Sequence, residues 1–296
     1  MPTTTELFTE HRKLLFSVAY RMLGSVADAE DAVQDSWLRW SAVDLSVVDH
    51  PKAYLVKVVT TTALNRLRAA RARRESYVGP WLPEPLLTGP DVAEEVEMAE
   101  SVSLAMLVVL ETLGPDERAV FVLREVFGYP HAKIAEALDK PEATVRQLAH
   151  RARSHVQARR PRFETDRARQ REATDRFLAA TLDGDVESLM AVLAPDVTLI
   201  TDGGGRITAA RNPVSGADKV ARFLLGVSSR PWHGVDLSEL RYDEAELNGA
   251  PALVVYLHGK PVSTIAVEVA DGRITAVRMV ANPEKLTHLP EREDLA

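Results

Sequence analysis

The sequence predicts a multidomain chain: two all-α helical domains followed by a domain of α+β class. Three observations carry this. Up to about residue 160 the apolar residues recur three, four and seven apart, the spacing of amphipathic helices; toward the C-terminus they alternate or form β-branched runs, the spacing of strands. Between the two helical stretches, Tyr77 to Pro90 holds four prolines, which no helix can cross. The boundaries follow as 1–75 for the first helical domain, 76–100 for a Pro/Gly-rich acidic linker, 101–161 for the second helical domain and 168–290 for the α+β domain.

In the first domain Thr3 and Glu6 form a capping box for a helix packed through Leu7, Leu14, Leu15, Val18 and Met22, and Gly24 stops it. Ser25 with Asp28 caps a second helix. Its apolar face is Ala29, Ala32, Val33, Trp37 and Trp40, and Asp28, Glu30, Asp31, Gln34 and Asp35 form an acidic outward face. After the loop SAVDLSVVDH, Pro51 opens a long third helix with Tyr54, Leu55, Val58, Val59, Thr62 and Leu67 on its packing side. Arg66, Arg68, Arg71, Arg73 and Arg74 cluster at its end.

In the second domain Leu113-Gly114-Pro115-Asp116 is a stop-and-start signal before a helix carrying Val120, Phe121, Leu123 and Val126. Ile134, Ala135 and Leu138 then mark a short helix, and Val145, Leu148, Ala149, Ala152 and Val156 a longer one. Between them Asp139 tolerates a left-handed turn and Pro141 fits a first helical turn, which is helix-turn-helix punctuation. With the apolar residues buried, Glu142, Thr144, Arg146, Gln147, His150 and Arg151 face outward near the helix start, where a major-groove helix carries its base-reading side chains. Arg and Gln can each pair bidentately with a base edge, and Arg153 and Arg159 suit phosphates.

Beyond Pro161 one or two helices reach Leu193, followed by the strand signals VTLIT, ALVVYLH, VSTIAVEV and RITAVRMV. Asn248-Gly249 and Asp271-Gly272 are tight-turn dipeptides joining strands as hairpins.

The formal net charge is −7, but the charges are sorted along the chain. Two arginine-rich patches flank the interval from Glu75 to Glu117, which contains neither Lys nor Arg and supplies an acidic connector. There is no cysteine, which excludes disulfides, thiolate metal sites and a cysteine nucleophile. With no signal peptide and no apolar run longer than Leu104 to Leu110, the expectation is a cytoplasmic chain without membrane contact. No cofactor, metal ligand set or catalytic residue is expected.

The stretches ADAEDAVQDSWLRW, HPKAYLVKVVTTTALNRLRAARARRE and LGPDERAVFVLREVFGYPHAKIAEALDKPEATVRQLAHRAR resemble, in this order, the extracytoplasmic-function (ECF) sigma factors of bacterial RNA polymerase. The resemblance covers residues 5 to 160 and identifies the helical domains with sigma regions 2 and 4. It implies core RNA polymerase and promoter DNA as partners, with Asp31, Gln34, Asp35 and Leu38 at the polymerase clamp helices. It also implies that the loop from Asp44 to Asp49 and the helix face of Lys57, Asn65 and Arg68 meet the melted downstream element. Trp37, Trp40 and Tyr54 are stacking candidates, although the two tryptophans lie on the apolar stripe and read first as core. Two departures stand out: Asp139 replaces a usual glycine, and Pro141 a usual capping Ser or Thr.

Three further stretches, WLPEP (Trp81, Leu82, Pro83, Glu84, Pro85), DGGGR (Asp202, Gly203, Gly204, Gly205, Arg206) and NPEKL (with Asn282, Pro283, Lys285 and Leu286), look like those of the members with a fused, cone-shaped SnoaL-like α+β domain. Regulation in cis follows from that resemblance. DGGGR is not a phosphate loop, since no helix begins there; its glycines suit a tight turn or the close approach of another backbone, with WLPEP the candidate. An acid–base grouping of His233, His258 and Asp202, with Glu268 nearby, is a weaker reading, and a pocket for a small apolar ligand another. The alternatives for the whole chain are a ligand-responsive helix-turn-helix regulator acting without polymerase, and a bifunctional protein with a catalytic SnoaL-like domain.

Overall fold

A computed structural model describes residues 2–88, 103–159, 167–228 and 236–293. The chain divides into two compact units: residues 1–76 with 92–160, and residues 77–91 with 161–296. Both helical domains therefore belong to one unit, and the proline-rich stretch is grouped with the C-terminal domain. His233 and residues 89–102, which hold much of the acidic connector, lie outside the described residues, as do Arg160 and Arg162.

The helical unit opens with α1 (Thr4–Leu23), held by the reciprocal capping box between Thr3 and Glu6. Gly24 ends it at φ 67°, a left-handed turn that costs glycine little. In α2 (Val26–Trp40) the Ser25 side chain accepts from the Asp28 amide, and α3 (Pro51–Arg74) begins at the proline. These three helices pack on one another around Leu15, Val18, Met22, Trp40, Leu55, Val59 and Ala63, all fully buried. Trp40 is thus core, its indole N–H donating to the Thr4 carbonyl at 2.8 Å. Tyr54, expected on the packing side, is 37% exposed because its ring lies tilted against Trp40 at the rim of the core.

The second module holds α4 (Leu104–Glu111), α5 (Pro115–Phe121), which runs into a π turn at Val122–Val126, α6 (His131–Leu138) and α7 (Glu142–Arg159). Pro141 stands one residue before α7 rather than inside its first turn: its carbonyl accepts from the Val145 amide, and having no polar side chain it leaves the helix start without a side-chain cap. Asp139 ends α6 in the left-handed region, at φ 50° and ψ 52°. Leu107, Leu110, Val120, Val145 and Ala152 form the buried centre, and α3 packs against α5 and α6, joining the modules.

In the C-terminal unit α8 (Arg167–Leu182) and α9 (Val186–Val192) precede β1 (Leu193–Asp202). Then come β2 (Val214–Ser215), α10 (Ala217–Ser228), β3 (Leu240–Leu247), β4 (Ala250–Leu257), β5 (Lys260–Ala270) and β6 (Arg273–Val280). The sheet order is β2-β1-β6-β5-β4-β3, parallel only between β1 and β6. Phe177, Leu189, Val192, Val220 and Leu224 from the helices form one core with Val197, Leu199, Val267 and Val277 from the strands. No described helix is long and apolar enough to cross a membrane.

A left-handed Asp139 carries backbone strain that glycine would not. Asp139→Gly is expected to stabilise the helical unit by about 0.5–1 kcal/mol, read as a raised denaturation midpoint of the full chain. An unchanged or lowered midpoint would refute the assignment of strain there.

Candidate nucleic-acid interface and linker clasp

On α2, Gln34 and Leu38 are exposed, Leu38 at 61%, while Asp31 and Asp35 converge on one partner. Arg66 of α3 reaches Asp35 at 2.7 Å and Asp31 at 3.1 Å. Those carboxylates hold the guanidinium charge more firmly, raising the Arg66 pKa. Glu30 is likewise paired, with Arg12 at 2.6 Å. The acidic face read from the sequence is therefore partly neutralised, with an exposed leucine at its end. Arg66 was visible in the sequence only as one of five arginines; its pairing needs α2 and α3 to be side by side.

The loop after α2 is ordered by Asp44, whose Oδ1 accepts from the Ser46 amide at 2.9 Å, a bond that lowers the carboxyl pKa. It presents Val47 at 75% exposure. Lys57 and Asn65 are exposed along α3, but Arg68, the third residue expected on that face, is bound to Asp116 at 2.8 Å.

Along α7 the residues Thr144, Arg146, Gln147, His150 and Arg151 are exposed, as helical spacing from Val145, Leu148 and Ala152 requires. Glu142 holds Arg146 at 2.6 Å one turn on, and Glu117 of α5 holds Arg151 at 3.2 Å. Pairs this exposed contribute little to stability.

In the C-terminal unit the three short motifs meet at the Asp202 carboxylate, which is fully buried. Oδ2 accepts from the Leu82 amide at 2.8 Å and from the Lys285 ammonium at 2.6 Å. Oδ1 accepts from the Tyr77 hydroxyl at 2.6 Å and the Gly204 amide at 3.1 Å. The Lys285 ammonium also donates to the Leu82 carbonyl and lies over the Trp81 ring, 3.9 Å from its centroid. Asn282 donates to the Tyr77 hydroxyl, and burial beside Asp202 drives the Tyr77 pKa upward. Both turn glycines have positive φ. A side chain on Gly204 would come within 2.5 Å of Asn282, and one on Gly205 within 2.9 Å of Val78. The DGGGR turn is thus a close-approach site for the proline-rich segment.

That segment then touches the sheet edge through a single antiparallel bridge. The Thr88 amide donates to the Glu246 carbonyl and the Asn248 amide to the Leu86 carbonyl, pairing Leu87 with Leu247 at the β3 edge of the sheet. Leu82, Pro83, Glu84, Pro85 and Thr88 are buried, and His288 bonds the Pro85 carbonyl. Leu286 is buried in the same NPEKL stretch, whose Pro283 begins a short 3-10 turn. Arg206, last of the DGGGR motif, pairs with Glu284 across the two motifs at 2.5 Å on the surface.

Among the described residues the acid–base grouping is not assembled. His258 is not at a strand end but in the β4–β5 turn at φ 48°, where it is exposed and faces Glu239 at 3.6 Å. Asp202 is committed to Lys285, and Glu268 is paired with Arg278, burial raising the Glu268 pKa. Strand alternation missed this because His258-Gly259 reads as β continuation although it forms the third tight turn.

Comparison with known proteins gives the family. Residues 7–73 match the model of sigma-70 region 2, and residues 103–156 that of sigma-70 region 4. The chain is 42% identical over 295 residues to the ECF RNA polymerase sigma factor SigJ of Mycobacterium tuberculosis, covering 97% of this chain and 94% of the relative. It is 31% identical over 283 residues to the "Probable ECF RNA polymerase sigma factor SigI" of the same organism, covering 94% and 93%. The crystal structure of M. tuberculosis SigJ superposes with a TM-score of 0.76 at 38% identity, over 96% of this chain and 99% of that one. With both sigma-70 modules in order and a relative matched along nearly its whole length, the chain belongs to the extracytoplasmic-function RNA polymerase sigma factors.

Proposed function

We propose that the chain directs promoter-specific initiation by core RNA polymerase through its helical unit, and that its C-terminal unit regulates it in cis by holding the segment that connects the two helical modules. The observation that carries the regulatory part is the seating of residues 77–88 on the C-terminal sheet through Asp202 and the β3 edge. A connector held in this way has a reduced reach, and the two modules must span separated promoter elements. Tethering keeps the segment at an effective concentration of roughly millimolar near its groove, so modest contacts hold it until polymerase competes.

The residue roles in this reading are as follows. Leu38 and Gln34 offer contact to polymerase beside the Arg66-bound Asp31 and Asp35. The Asp44-ordered loop, Lys57 and Asn65 serve the downstream element, with Tyr54 exposed enough to stack on an unpaired base. Arg146 and Gln147 read base edges of the upstream element, with Glu142 and Thr144 at the helix start and His150 and Arg151 beside the backbone.

Two outcomes test this. Asp202→Asn leaves the buried Lys285 ammonium without its carboxylate, a loss of about 3–5 kcal/mol to the seated state. Hydrogen exchange at the Leu82 amide should then rise by orders of magnitude, and run-off transcription with purified core enzyme should increase. Faster exchange with unchanged transcription would remove the regulatory role while leaving the clasp. Separately, Gln147→Ala should relax preference at one base pair of the upstream element by about 1–3 kcal/mol. A uniform loss across all sequences would reassign Gln147 to the phosphate backbone.

A further inference from the structure

We infer a second restraint, independent of the linker: the carboxylates of α4 and α5 pin the two helical modules together, and Asp116 does so by taking the place of a DNA phosphate. The inference rests on the reading of α3 and α7 as promoter-binding helices.

Asp116 opens α5 in the second module. Its Oδ1 takes the Arg68 guanidinium of the first module at 2.8 Å, and its Oδ2 takes the Lys140 ammonium, in the turn of the helix-turn-helix, at 3.3 Å. Arg68 lies on the α3 face proposed for promoter DNA. One carboxylate therefore binds a cation from each module with separate oxygens, as the two free oxygens of a backbone phosphate would. The adjacent Glu117 pairs within the second module, with Arg151 of the recognition helix at 3.2 Å. These pairs are part-exposed, so DNA, which carries a denser array of the same charge, can displace them.

Glu111 supplies the firmer half of the pin. Its carboxylate is shared by Arg74 of α3 and Arg118 of α5, and all three side chains are largely buried. The same two arginines also close the end of α1: Arg74 donates to the Leu23 carbonyl at 2.7 Å and Arg118 to the Arg21 carbonyl at 3.1 Å. Arg21 itself is buried and lies over the Phe127 ring of the second module, and burial lowers its pKa to about 10. Separating the modules takes Arg74 from Glu111 and Arg118 from α1, so neutralising Glu111 weakens both sides of the seam.

The absence of cysteine allows clean labelling. Spin labels at Thr9→Cys and Ser154→Cys, both exposed and one on each module, report the separation in the full chain. Glu111→Gln is expected to broaden and lengthen the distance distribution. Asp116→Asn is expected to raise affinity for fluorescent duplex DNA about threefold to tenfold and to steepen its salt dependence by about one phosphate contact. Distances and affinity that both stay at the parent values overturn the inference. A changed distance with unchanged DNA affinity supports the Glu111 pin and overturns the phosphate-surrogate role of Asp116. Asp116→Asn alters a part-exposed residue, so its DNA measurement stands even if Glu111→Gln fails to fold. Neither measurement uses polymerase or residues 77–88, so failure of the linker reading is distinguishable from failure here.

Discussion

The C-terminal unit depends on one buried carboxylate. An ionised group without water must find all its partners within the protein, and Asp202 finds four donors, from Tyr77, Leu82, Gly204 and Lys285. They belong to three stretches, Leu82 lying 120 residues before Asp202 and Lys285 83 residues after it. No one of them can be removed without leaving part of the charge unsatisfied, so segment, turn and C-terminal stretch are fixed together. The neighbouring contacts follow from that placement: Trp81 over the ammonium, Val78 against Gly205 and Leu87 beside the β3 edge.

The helical unit applies the same physics to positive charge. Its basic groups would repel one another, yet several are drawn toward acids of the neighbouring helix: Arg66 to Asp31 and Asp35, Arg68 to Asp116, Arg74 to Glu111. A sigma factor with net charge −7 thus keeps these cations in place while their field is partly cancelled. On α7, Gln147 and His150 stand outward beside the paired Arg146 and Arg151.

Much of the fold was legible in the sequence because its signals are local. Thr3, Gly24, Ser25, Pro51, Gly114 and Pro115 set helix ends through their own backbone preferences and short hydrogen bonds, and the elements start and stop there. Asn248-Gly249 and Asp271-Gly272 turn their hairpins with both residues at positive φ. β3 was not read: LRYDEAEL carries acids and alternates only weakly, which an edge strand tolerates because one side of it faces water. α10 was also missed, although Val220 and Leu224 stand four apart in it; the preceding Gly, Pro and Ser residues mask its start.

The sequence by itself determined the family, the order of the modules, the recognition helix and the three motifs that come together, since each is written in contiguous residues and short spacings. Only the tertiary structure decided which charges are spoken for: that Asp202 belongs to Lys285 rather than to a proton relay with His258, that Arg66 gathers the acids of α2, and that Asp116 reaches Arg68 in the other module. Coulombic partners are chosen by distance in space, and distance between residues far apart in the chain is not encoded in any local pattern.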